Sequence, residues 1–208
     1  MENTPEIRTS RLLLRRFTPE DAEAFYQIMS DKEVNTFLPW FPMQSLEEAA
    51  AFLQEKYLKS YEKPEGFRYA VCFLNENVPI GYVNVDEGKS HDLGYGLRKE
   101  YWHQGIVTEV CLSLISLLKE AGISYITATH DRNNPRSGKV MKKIGMTYRY
   151  SYEEQWQPKN IRVTFRMYQP VSYTHLIQRQ SGCLKQNENN RLPELSGNYH
   201  AMHYPAGR

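Results

Sequence analysis

A strand that passes through a tight glycine loop straight into a strongly apolar helix has few ways to fold: the helix must pack on the sheet that holds the strand. Residues 92–122 of this 208-residue chain read that way. The stretch 92–98 (DLGYGLR) has strand character and contains Gly94 and Gly96. The loop Tyr101-Trp102-His103-Gln104-Gly105 follows. From about 106 to 121, Val107, Val110, Cys111, Leu114, Ile115 and Leu118 recur at helical spacing, and Gly122 supplies a C-cap. The first turn of such a helix offers unpaired N–H groups and a partial positive charge of roughly half an electron. A residue as small as Gly105 lets a diphosphate approach that backbone closely. The strand glycines suggest a bulge that splays two strands apart, leaving edge amides free to pair with an amide-bearing arm. Taken alone, one glycine before a helix is more often plain turn chemistry.

The rest of the chain reads as short alternating elements. Residues 11–17 (RLLLRRF) form a first strand, and Thr18-Pro19 with Asp21 caps a helix carrying Ala22, Phe25, Ile28 and Met29. Two prolines and several aromatics interrupt 36–42. Ser45 and Glu48 form a capping box for a second helix with Leu46, Ala49, Ala50, Leu53 and Tyr57 inward. Strands follow at 67–74, 78–85 and, after the apolar helix, 123–130. Asn134-Pro135 starts a last helix ending at Gly145, and two strands, 146–156 and 161–168, close the domain. The order predicts an α+β domain over 1–169: a mixed, mostly antiparallel sheet with helices on both faces and a splayed strand pair. Residues 170–208, rich in Gln, Asn, Ser, Gly, Pro and His, read as a disordered tail or an extension foreign to the domain.

Bulk properties exclude several classes. With 26 Lys and Arg against 24 Asp and Glu, net charge is +2, which argues against nucleic-acid and membrane partners. No apolar run approaches the roughly 20 residues of a membrane span, and the N-terminus lacks a signal-peptide pattern. Three widely spaced cysteines, Cys72, Cys111 and Cys183, fit neither a disulfide framework nor a zinc site. These features predict a cytoplasmic, metal-free protein.

A second informative stretch is 131–146 (DRNNPRSGKVMKKIGM). As bare physics it is a capped amphipathic helix with Arg136, Lys139, Lys142 and Lys143 on a solvated face. Together the two stretches resemble the GNAT superfamily of N-acetyltransferases. The resemblance is closest to its RimJ/RimL-like branch, the ribosomal-protein N-terminal acetyltransferases. It spans 8–168 and rests on Ser10-Arg11-Leu12-Leu13-Leu14-Arg15 with Pro19-Glu20-Asp21, on Tyr101 to Glu109, and on Asn134-Pro135-Arg136-Ser137 ending in Lys143-Ile144-Gly145-Met146. Of the family's coenzyme-A loop pattern, Gln/Arg-x-x-Gly-x-Gly/Ala, the matching positions here are Trp102, Gly105 and Val107. The family's frequent tyrosine acid falls on Met141, which cannot donate a proton.

The resemblance implies acetyl-CoA as cosubstrate, with Leu97, His103, Gln104, Gly105, Ile106, Val107, Thr108 and Asn134 as its contacts. It implies Ser137 as stabiliser of the departing thiolate and a carboxylate, Glu153 or Glu154, as base. A solvated charge on a strand face explains either glutamate equally well. His130 is another candidate base, though a lone histidine there is more often a structural hydrogen-bonder. The Leu97 amide is a candidate donor to the developing oxyanion. Trp40 and Phe41 form either a wall of the acceptor pocket or a plug over the core. The acceptor implied is a primary amine, such as a protein N-terminal α-amine. Alternatives are a small-molecule amine (polyamine, aminoglycoside or amino acid) and a non-catalytic acyl-CoA sensor. A homodimer is compatible with the sequence.

Overall fold

The computed structural model describes residues 2–170. The expected tail, 170–208, lies outside the described residues except for Pro170 itself, as does Cys183. Eight strands and four helices occur in the order β1 (Ile7–Arg8), β2 (Leu12–Arg15), α1 (Ala22–Ser30), α2 (Leu46–Lys56), β3 (Phe67–Phe73), β4 (Pro79–Val85), β5 (Leu93–Leu97), α3 (Ile106–Glu120), β6 (Ala128–Asp131), α4 (Pro135–Lys143), β7 (Met146–Trp156) and β8 (Ile161–Pro170).

The strands form two antiparallel sheets, β1-β2-β3-β4-β5 and β6-β8-β7. The first is covered on both faces, which explains why its strands read as unbroken apolar runs. In β2, Leu12 and Leu14 join the core beneath α3 and α4, while Leu13 joins the core beneath α1 and α2. Tyr69 and Val71 of β3 face the first core, and Ala70 and Cys72 the second. Helix α3 buries Val110, Cys111, Leu114, Ile115 and Leu118 of the expected stripe, while Val107 is half-buried. Helix α1 buries Ala24 with Phe25, Ile28 and Met29; the expected Ala22 is only half-buried. Leu46 of α2, expected inside, is exposed, because the capping turn directs the first helical residue outward. Ser45 Oγ accepts from the Glu48 N–H at 3.2 Å, and the Glu48 carboxylate accepts from the Gln44 N–H at 2.8 Å.

The two sheets meet at a single parallel bridge, Asp92 with Thr127. The Leu93 N–H donates to the Thr127 carbonyl at 2.8 Å, and beyond that point β5 and β6 part. The expected splayed pair is therefore present. The expected glycine bulge is not its cause: β5 pairs regularly with β4 from Leu93 to Leu97. Gly96 is small because the Tyr82 ring lies over it, where a Cβ would stand 2.6 Å from Cζ. The strand expected at 123–130 begins only at Ala128, opposite Tyr168 of β8, two residues before that strand ends at Pro170.

Backbone alternation shows which groups face the opening. Arg98 N–H donates to Ile80 and Asp86 N–H to Asp92, so the even positions of β5 point at β4. The odd positions, Tyr95 and Leu97, turn their N–H and C=O toward the gap.

Candidate active site

The gap opens into a groove of about 910 Å³ between the mouth of α3, the first turns of α4 and the segment after α1. At the mouth of α3, Gly105 is the N-cap, with φ +75° and no side-chain cap. A Cβ at 105 would meet nothing within 4 Å, so the space in front of the first turn is open. The N–H groups of Ile106, Val107 and Thr108 are helix-start donors without an intrahelical acceptor; the first intrahelical bond is Glu109 N–H to the Gly105 carbonyl at 3.0 Å. Arg11 braces the loop from behind. It donates to the Gln104 carbonyl at 2.9 Å and pairs with Glu109 at 2.9 Å.

Helix α4 approaches from the other side. The Asn134 side chain accepts from the Ser137 N–H at 3.3 Å, with Pro135 at the first helical position. The residues read as a solvated basic face, Arg136, Lys139, Lys142 and Lys143, all line the groove. The Arg136 guanidinium lies over the Trp102 ring, 5.1 Å from its centroid. Trp102 in turn donates through Nε1 to the Leu97 carbonyl at 2.8 Å, fixing the end of β5. Lysines and an arginine beside uncapped helix amides suit a polyanion, so the site fits a diphosphate.

Of the sequence-predicted residues, Leu97, His103, Gly105, Ile106, Val107, Thr108, Asn134 and Ser137 come together along this groove. Gln104 does not line it; its side chain donates back to the Glu100 carbonyl at 3.2 Å. Trp40 and Phe41 do not line it either. Trp40 packs on Phe52, 6.0 Å between centroids, and Phe41 is 58% exposed. Phe37 and Leu38, just before Pro39 in the same segment, line the groove instead. Lys159, in the β7–β8 turn, donates to the Asn35 and Thr36 carbonyls at 3.2 and 3.5 Å and ties the long hairpin to this wall.

The two glutamates of β7 face opposite ways, as strand alternation requires. Glu153 is exposed and pairs with Arg162 at 3.5 Å. Glu154 is half-buried, and desolvation pushes its carboxyl above the ordinary range. Neither lines the groove. His130 is buried away from it: Nδ1–H donates to the Asp131 carbonyl at 2.7 Å, and Nε2 lies against α4, where a Cβ on Gly138 would stand 2.6 Å away. Burial lowers its pKa.

Sequence reasoning missed Tyr95. Its phenol oxygen reaches across the gap to within 2.8 Å of Ser137 Oγ. Its only signal was the odd position of an inward-facing tyrosine on a glycine-flanked strand. Met141, the position of the family's tyrosine acid, is 1% exposed and sits in the core beneath α3 and α4.

A split sheet with an uncapped helix mouth at the split leaves a long cleft whose basic end fits an anionic group. The acetyltransferase (GNAT) domain family matches residues 11–147. The chain belongs to that family and is an N-acetyltransferase. It is 27% identical over 146 residues to the uncharacterized N-acetyltransferase YoaA of Bacillus subtilis, covering 68% of this chain and 82% of that one. Its fold is similar to that of the microcin C7 self-immunity acetyltransferase MccE, solved in complex with acetyl-CoA and AMP. The TM-score is 0.67 at 16% identity, over 78% of this chain and 93% of that one. It is likewise similar to the Salmonella typhimurium acetyltransferase described as modifying the N-terminal serine of ribosomal protein L7/L12. Here the TM-score is 0.70 at 16% identity, over 80% and 99% of the two chains. Among the described residues, no helix is long and apolar enough to cross a membrane, and no group of three or more metal-ligating side chains occurs.

Proposed function

We propose that this N-acetyltransferase takes its acetyl group from acetyl-CoA and delivers it to the α-amine of a protein N-terminus, as a RimJ/RimL-branch enzyme. The observation that carries the donor assignment is the uncapped mouth of α3, whose open amides face a groove lined by four cations. In this reading the amides of Ile106, Val107 and Thr108, with Gly105 beside them and His103 and Gln104 shaping the loop, hold the diphosphate. The free edge of β5 and Asn134 hold the pantetheine arm. Bound acetyl-CoA supplies an activated thioester carbonyl. The Leu97 N–H, turned into the gap and held in place through Trp102, is placed to stabilise negative charge on a carbonyl oxygen. Ser137, at the split, supplies a hydroxyl donor for the leaving sulfur.

The acceptor assignment rests on charge and on pKa. Among the described residues Glu33 is the one acidic residue lining the groove, too little negative charge to hold a polyamine or aminoglycoside, while the four cations belong to the diphosphate end. The apolar wall of Phe37 and Leu38 suits a peptide. A peptide α-amine has a pKa of about 8, so it is partly neutral at working pH and a weak base suffices. Of the two glutamates of β7, Glu154, half-buried where Glu153 is exposed, is the base proposed, acting through solvent because neither lines the groove.

The test is thiol release from acetyl-CoA against a panel of peptide N-termini, polyamines and aminoglycosides. Turnover with peptides is expected. Turnover confined to polycations would reject the acceptor, and no heat of binding with acetyl-CoA or CoA in calorimetry would reject the donor.

A further inference from the structure

Tyr95 and Ser137 stand on opposite sides of the split, one on β5 and one in the first turn of α4, and both line the groove. The Tyr95 phenol oxygen lies 2.8 Å from Ser137 Oγ and 3.1 Å from the Ser137 carbonyl oxygen. A phenol has one proton and here two acceptors within reach. If it donates to the carbonyl, its own oxygen takes the serine proton, and Ser137 shows the groove only lone pairs. If it donates to Oγ, the serine proton is free to swing into the groove. Only the second arrangement makes Ser137 a donor. The serine backbone has no freedom to choose another geometry, because its N–H is held by Asn134. Burial holds the phenol above its ordinary range, so it remains a neutral donor at working pH.

We propose that Tyr95 is a positioning residue for departure of the thiol: its hydrogen bond to Ser137 Oγ turns the serine proton toward the sulfur. This rests on the reading of Ser137 as the thiolate stabiliser. As the C–N bond forms and the C–S bond breaks, the electron pair leaves on sulfur and shares the Ser137 hydrogen bond. The proton given up by the amine reaches the sulfur through solvent. Tyr95 stays neutral throughout and gives up no proton, which separates its role from that of the tyrosine acid whose place Met141 occupies.

The experiment compares wild type, Tyr95→Phe, Ser137→Ala and the double variant. Three quantities are measured: kcat, the Kd for CoA, and the pKa of the bound CoA thiol from its thiolate absorbance. Tyr95→Phe is expected to lower kcat about tenfold, the size of one hydrogen bond. It should also raise the bound thiol pKa by about one unit. The Kd for CoA at a pH where the thiol is protonated should stay within about twofold, since the diphosphate grip is untouched. The double variant should match Ser137→Ala alone in both kcat and thiol pKa. An equal Tyr95→Phe effect with and without the serine would overturn the proposal, as would an unchanged thiol pKa. If Ser137→Ala itself changes neither quantity, the serine reading fails first and takes this one with it. Substitution of 3-fluorotyrosine at 95 keeps ring and hydroxyl and should keep kcat near wild type. A loss there as large as in Tyr95→Phe would mean that packing, not the hydrogen bond, matters.

Discussion

Gly105 and Gly122 offer a matched pair for testing where the carrier is held. Both are in the left-handed region, at φ +75° and +78°, and at both a Cβ would meet nothing within 4 Å. Alanine at either site therefore costs only backbone conformation. The left-handed state costs an L-residue about 1–2 kcal/mol. The stiffer unfolded chain returns about 0.4–1 kcal/mol of that. The net loss is about 1 kcal/mol for each, or roughly 2–4 °C in Tm for a chain of this size. The two differ in surroundings. Gly105 opens onto the groove at the head of α3, and Gly122 closes the other end of the same helix. On the proposed reading, a methyl at 105 competes with a diphosphate oxygen for the open space before the first-turn amides. Losing one charge-assisted hydrogen bond, about 1.5–3 kcal/mol, weakens CoA binding at least about tenfold. Thermal melts and calorimetry with CoA on both variants settle the matter. Equal melting losses with a Kd change in Gly105→Ala alone are expected; equal Kd values in the two variants would refute the assignment of the diphosphate to the α3 mouth.

Three other outcomes follow from local geometry. Asp21→Ala removes a carboxylate that grips Arg15 at 2.6 and 2.9 Å and accepts the Thr18 N–H, at side-chain exposures of 8% and 15% for the ion pair. Arg15 keeps its bonds to Asn77 and to the Arg16 carbonyl, so losing the carboxylate should cost about 1.5–3 kcal/mol in urea unfolding. Asp92, at the bridge between the sheets, is desolvated and raised to about 6. Its folded form binds a proton that the unfolded chain has already lost, so this group makes stability fall as pH rises from about 4 to about 6. Asp92→Asn should flatten that part of the Tm profile and raise Tm at pH 7. Met141→Tyr places a phenol in a packed core, not in the cleft. It should cost about 1–3 kcal/mol of stability without raising kcat.

How far the sequence could be read depended on whether each signal was local. The stripe from Val110 to Leu118 and the caps at Ser45 and Asn134 are set by neighbours a turn away, and they stand where expected. The start of β6 was misread because strand length is decided by the partner, and β8 ends soon after reaching Tyr168. Trp40 and Phe41 against Phe37 and Leu38 is a choice of direction within one loop. It is settled by Phe52 drawing Trp40 onto α2 and by Lys159, more than a hundred residues on, tying down the Asn35 and Thr36 carbonyls. The sequence left Glu153 and Glu154 equivalent, because which face of β7 turns inward is decided by what packs on the hairpin. Tyr95 was invisible for the same reason: its partner lies 42 positions away on another element.

The basic face of α4 carries the wider lesson about charge. A net charge of +2 argues against any polyanion, and summed over the chain it does. Yet Arg136, Lys139, Lys142 and Lys143 fall within about two turns and face the groove, where α3 adds uncapped amides and, among the described residues, only Glu33 opposes them. A diphosphate with a few charges responds to the potential within about 10 Å at ordinary salt, not to the sum over the surface. Nucleic acid needs a long basic track, which the near-neutral remainder does not supply. The same four cations thus fit a small anionic carrier. Arg136 lies over the Trp102 ring, whose indole N–H holds the Leu97 carbonyl, so the basic side of the groove adjoins the end of β5 at the split.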